Sequence, residues 1–139
     1  MPFDLDRFLA AQDPVLGQVR RELAQGRKQT HWIWFVFPQI EGLGLSAISQ
    51  HYSITCLDEA RAYLDHPVLG PRLVECAEAI NAVHGRSALE VFGAPDDLKL
   101  RSSLTLFAHA APDTPVFAQA LAKYFAGEPD RATLEKLGV

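Results

Sequence analysis

The sequence predicts an all-α fold: a compact irregular bundle of about seven or eight short helices in a single domain. Three observations carry this reading. Helix start and stop signals recur along the chain. The apolar residues between them recur at helical spacing. No segment alternates as a half-buried strand would, and the hairpin dipeptides Asn-Gly and Asp-Gly are absent.

The elements follow in order. Asp4 is placed to cap a first short helix through Gln12. Asp13-Pro14 reads as the cap and first position of a second, with Leu16, Val19 and Leu23 on one stripe and Gly26 as the left-handed stop. Ser53 or Thr55 starts CLDEARAYLD, with Leu57, Ala60 and Leu64 aligned, and His66-Pro67 ends it. Pro71 opens PRLVECAEAINAVHG, whose apolar face is Leu73, Ala77, Ile80 and Val83 and whose stop is Gly85. Ser87 and Glu90 form a capping box. Pro95 precedes DDLKLRSSLTLFAHA, with Leu100, Leu104 and Phe107 aligned. Thr114-Pro115 starts VFAQALAKYFAG, carrying Phe117, Leu121 and Tyr124, and Gly127 closes it. Asp130 or Thr133 starts a last short helix.

The stretch from Trp32 to Phe37 has a strand-like composition and a length that permits either state. No partner strand is visible, so it reads as a short buried helix that Pro38 ends or kinks.

At 139 residues the chain is long enough for one unstapled core. Its 48% apolar and 22% charged residues exclude a disordered chain. The net charge of −4 does not favour nucleic acid or an anionic membrane as a partner. One basic segment, Arg20, Arg21, Arg27, Lys28 and His31, reads either as a solvated helix face or as a phosphate site. No apolar run approaches the ~20 residues that cross a bilayer, and the acidic N-terminal segment lacks a secretory pattern. A cytoplasmic protein with reduced thiols is expected. Cys56 and Cys76 read as small apolar core residues, and the spacing of His and Cys matches no metal motif.

The segment KQTHWIWFVFPQIEGLGLS concentrates the candidate chemistry. On a helix Trp32 and Trp34 point about 200° apart, so one belongs to the core while the other is free to line a pocket. A buried indole N–H needs an acceptor, for which Gln39 and Glu41 are nearby in sequence. Lys28 and His31, three apart, would share a face and together hold a phosphate or carboxylate. Glu41 is the expected general acid or base, with burial beside the aromatic run raising its pKa, and His31 is its expected catalytic companion. Gly42 and Gly44 allow positive φ or close approach of a neighbour or ligand, and Ser46 can cap the next helix. Outside this segment, Arg72 can pair with an acid or a bound anion. Lys99 and Ser103, four apart, share a helix face, although the order is the reverse of Ser-x-x-Lys and no oxyanion-hole motif accompanies them. Each of these residues also has a purely structural reading as core, cap, turn or surface charge.

KQTHWIWFVFPQ with GLGLS and Tyr52, EARAYLDHPVLGPRL, VFGAPDDLKLRSSLTLF and the opening DLDRFLAAQ together cover most of the chain. In these motifs the sequence resembles a bacterial, mainly α-helical family of unknown function whose members often carry the label "calpastatin". The resemblance implies the helical fold and no activity. Calpain-inhibitor repeats fold only on their partner, whereas this composition and these caps are those of a domain that folds alone.

Two functions are therefore expected as alternatives. One is a site for a small phosphorylated or nucleotide-like ligand, with hydrolysis through a carboxylic acid as its best-supported chemistry. The other is a non-enzymatic interaction or self-associating module. The sequence names no cofactor.

Overall fold

The computed structural model describes residues 3–139; Met1 and Pro2, the first two of the acidic N-terminal segment, lie outside the described residues. Ten helices form among them: α1 (Asp6–Gln12), α2 (Leu16–Gln25), α3 (Ile33–Val36), α4 (Ala47–His51), α5 (Leu57–Asp65), α6 (Leu69–Asn81), α7 (Ala88–Phe92), α8 (Asp96–Ala110), α9 (Val116–Phe125) and α10 (Arg131–Leu137). The all-α class is as expected. The count is slightly higher than expected; α4, with five residues, is too short to show a period.

α8 is the central element. It packs against α5, α7, α9, α10 and α3, and α6 joins α2, α5 and α9 behind it. Leu100, Leu104, Leu106 and Phe107 of α8 are fully buried, so its apolar face extends beyond the expected stripe. Buried hydroxyls on α8 bond back to the turn above: Ser102 to Leu98 O at 3.1 Å and Thr105 to Arg101 O at 2.8 Å.

Several boundaries differ from the sequence reading, each for a local reason. Asp13 ends α1 in a right-handed conformation, and α2 starts only at Leu16. The Asp13 carboxylate caps nothing and pairs with Arg72 at 2.8 Å. α6 starts at Leu69, with Pro71 inside its first turn, where a missing N–H costs nothing. Val68 is its N-cap, and His66 just ahead accepts at Nδ1 from the N–H groups of Val68 and Leu69 at 3.1 and 3.2 Å. Gly70 is required here, because a Cβ would stand 2.0 Å from Leu64 O. The α5 stripe centres on Ala60 and Tyr63 rather than on Leu57 and Leu64. α6 ends at Asn81, before Gly85. Cys76 is in the core as expected, but Cys56 is exposed ahead of α5. The capping box at Ser87 and Glu90, the start of α8 after Pro95 and the Asp130 cap of α10 are where the sequence puts them.

The 32–37 segment is helical over Ile33–Val36. The only β-type pairing among the described residues follows it, an isolated parallel bridge between Ile40 and Ile54. Glu41 N–H donates to Ile54 O, and Ile54 N–H to Gln39 O, both at 2.8 Å. This bridge closes the 41–53 loop over one side of the bundle. Among the described residues no helix is long and apolar enough to cross a membrane.

Candidate functional site

Two buried carboxylates organise the segments around the aromatic run. Glu22, 1% exposed, accepts five hydrogen bonds: from the N–H of Gln29 (2.8 Å), the N–H and hydroxyl of Thr30 (3.0 and 2.7 Å), Gln18 Nε2 (2.7 Å) and Trp32 Nε1 (2.9 Å). The acceptor for the Trp32 indole is therefore Glu22, ten residues before it, and not Gln39 or Glu41. Burial pushes the Glu22 carboxyl up, but the donors from Gln29, Thr30 and Gln18 outweigh it and hold the group at about 2. Glu59, 2% exposed, accepts from the Thr55 N–H and hydroxyl at 2.7 and 2.9 Å and pairs with Arg7 at 3.1 Å.

Lys28 is not a solvated charge. Its side chain is 4% exposed, and the ammonium stands 2.7 Å from Asp96 and 5.1 Å from the Trp32 ring centroid. Its N–H donates to Val91 O at 2.7 Å, which fastens the segment to α7. Asp96, at the start of α8, also faces Lys99 at 3.9 Å. Lys99 in turn stands 5.0 Å from the Trp34 ring centroid. The result is a row running Trp32, Lys28, Asp96, Lys99, Trp34, with one carboxylate between two ammonium groups. Trp32 is core and Trp34 half-buried, so the two indoles divide as the helical spacing predicts. The Trp34 indole N–H is buried with no partner in the protein.

Lys99 opens onto a cleft of about 270 Å³ walled by Gln39, Leu43, Gly44, Pro95 and Leu98. Ser102, Asp130 and Ala132 complete it. Of the residues singled out in the sequence, this cleft gathers Gln39, Gly44 and Lys99, with Trp34 beneath Lys99. The first and third motifs thus converge.

The other candidates lie elsewhere. His31 is exposed and the Lys28 side chain buried; residues 28–31 form no helical turn, so the two do not share a face. Glu41 is exposed, without the burial expected of it, on a separate cleft with Asp4, Arg7, His51 and Glu59. That second cleft is a structural clamp. Arg7 donates to the carbonyls of Asp4, His51 and Ser53 and to Glu59, which ties α1 to the start of α5. Gly42 has φ 96° and lies against the end of Lys136. Gly44 is packed so closely on α4 that a Cβ would meet Ser49 Cβ at 2.5 Å. Ser46 caps α4 by accepting from Ser49 N–H at 3.2 Å. Arg72 pairs with Asp13 and donates to Gln12 Oε1 at 3.3 Å. Ser103 is fully buried and its hydroxyl has no partner, so it does not reach the cleft as a nucleophile beside Lys99.

The sequence reading missed Glu22, Arg7, Arg101 and Arg131. Glu22 and Arg7 act through contacts to residues outside their own helices, and periodicity carries no signal for that. Arg101 and Arg131 border a larger hollow of about 590 Å³ beside the Lys99 cleft.

Fold and cleft together define a small all-helical domain with a part-aliphatic cleft, carrying Lys99 and Asp130, against its central helix. The chain belongs to the family described as protein of unknown function DUF1810, whose model matches residues 2–137. It is similar over 100% of its length to 99% of the conserved hypothetical protein Rv1873 from Mycobacterium tuberculosis, with 55% identity and a TM-score of 0.98 to that crystal structure. No curated protein matches it.

Proposed function

We propose that this domain binds a small anionic, phosphate-bearing ligand in the cleft between the 39–44 loop and the first half of α8. The observation that carries the reading is the state of Lys99. Its nearest carboxylate, Asp96, is already engaged by Lys28 at 2.7 Å, leaving Lys99 at 3.9 Å with charge to spare. An ammonium held on an indole and only loosely paired attracts an anion more strongly than a solvated lysine does. The Gln39 side-chain amide takes no hydrogen bond within the protein among the described residues and is available to a ligand's polar edge. Leu43, Pro95 and Leu98 offer an aliphatic wall. Glu41 and His31 are not gathered at this cleft, so the reading is ligand binding without a bond-breaking step.

A thermal-shift panel of sugar phosphates and nucleotides tests it. A ligand at 100 times its Kd adds about 2.7 kcal/mol, which is a few degrees in Tm. The Lys99→Gln variant should keep the unliganded Tm within about 2 °C and lose the ligand-induced shift. A ligand shift that survives Lys99→Gln would sink the assignment of this cleft.

A second reading, a protein-interaction surface, is favoured by Leu45 and Leu98, which are 88% and 58% exposed on or beside the same cleft. Self-association in light scattering that Leu98→Ser abolishes would favour it over the first.

A further inference from the structure

The Lys99 cleft does not stop at α10. Asp130 and Ala132 border both it and the larger hollow, so the two compartments adjoin along the start of that helix. Asp130 is a fixed divider. Its N–H donates to Thr105 Oγ1 at 2.8 Å, and its Oδ2 accepts from the Thr133 N–H and hydroxyl at 3.0 and 2.6 Å.

The larger compartment holds two guanidinium groups in different states. Arg101 is committed: it donates to Glu128 O at 2.9 Å and to Glu128 Oε2 at 3.3 Å, and lies 5.6 Å from the Phe125 ring centroid. Arg131 is exposed and forms no ion pair among the described residues. Of the two acids of this compartment, Glu128 is paired with Arg101, while the Asp130 carboxylate is bonded only to Thr133 and keeps its charge. Each compartment therefore contributes one under-used cation, Lys99 on one side of Asp130 and Arg131 on the other. Lys99, Arg101 and Arg131 against Glu128 and Asp130 leave the two compartments with one net positive charge, in a chain of net charge −4.

We propose that the two compartments form one bipartite site for a diphosphate ester, of which nucleoside diphosphates are the obvious class. The inner phosphate meets Lys99 and the outer phosphate meets the Arg131 guanidinium, whose fork matches a terminal phosphate in a bidentate fashion. The organic group lies along Leu43, Pro95 and Leu98, with Gln39 at its polar edge. This rests on the ligand-binding reading of the Lys99 cleft and adds the second anionic group and the residue that receives it.

Isothermal titration of the full chain with ADP, GDP, CDP and UDP and with the corresponding monophosphates tests the proposal. At least one diphosphate should bind about tenfold more tightly than its own monophosphate, the value of one extra charge-assisted contact. Arg131→Gln should bring that ratio close to one, and Arg131→Lys should restore part of it. Arg131 is exposed, so the substitutions leave the core intact. Equal affinity for a monophosphate and its diphosphate would overturn the bipartite site while leaving the Lys99 reading in place. So would a preference for the diphosphate that Arg131→Gln does not change. Failure of all eight nucleotides to bind would overturn the bipartite site, and failure of sugar phosphates as well would remove the Lys99 reading with it.

Discussion

At the scale of single residues, Glu22 decides most. A buried carboxylate without partners is expensive; one that accepts five hydrogen bonds is a cross-link between α2 and the 29–32 segment. Its folded pKa, about 2, lies below the ordinary 4.5. A depressed carboxyl stabilises the fold above its unfolded pKa, and that stability is lost as pH falls towards the folded value. The window is thus from pH 4.5 down to about 2, and the amount is about 3 kcal/mol. Glu22→Gln should lose a similar amount at pH 7, and its stability should depend less on pH within that window. Urea unfolding at pH 7 and pH 3 measures both, and a variant as stable as the parent at pH 7 would contradict the account.

At the scale of elements, the short helices depend on their neighbours. α4 has only five residues and is held by the Ser46 cap and the close approach of Gly44 to Ser49. Gly44→Ala should cost about 1–3 kcal/mol by overpacking and should loosen α4, visible as faster amide exchange in residues 47–51. Unchanged exchange there would mean that the loop yields freely. The same element shows what was legible in the sequence and what was not. Ser46, Ser87 with Glu90, and Asp130 announced helix starts because capping is a local interaction, readable within four residues. Asp13-Pro14 carried the same local signal and failed, since a long-range partner, Arg72, takes its carboxylate. Lys99 and Gln39 were legible as candidates by residue type. That they share a cleft was not, because α8 and the 39–44 loop meet only in the folded chain. Lys28 and His31 were paired by a helical spacing that the non-helical backbone there does not have.

For the whole molecule, α8 at the centre makes the fold a single cooperative body, with α5, α7, α9 and α10 leaning on one helix. The two thiols report on that cooperativity. Burial pushes the Cys76 thiol up to about 12, while Cys56 is exposed. A thiol reagent should therefore label Cys56 at once in the native protein and reach Cys76 only through global unfolding. Simultaneous labelling of both would show that α6 opens independently of the rest.

The division between the two tryptophans has an optical consequence. Trp32 is sealed in the core with its indole bonded to Glu22, and Trp34 is half-buried with a free N–H beneath the Lys99 ammonium. The chain has only these two. One chromophore therefore senses whether the core is assembled, and the other senses the electric field of the Lys99 ammonium. Removing Trp32's emission by substitution would unfold the very thing it reports. Trp34→Phe removes the second signal alone, so intrinsic fluorescence can separate occupancy of the cleft from integrity of the fold without any added dye.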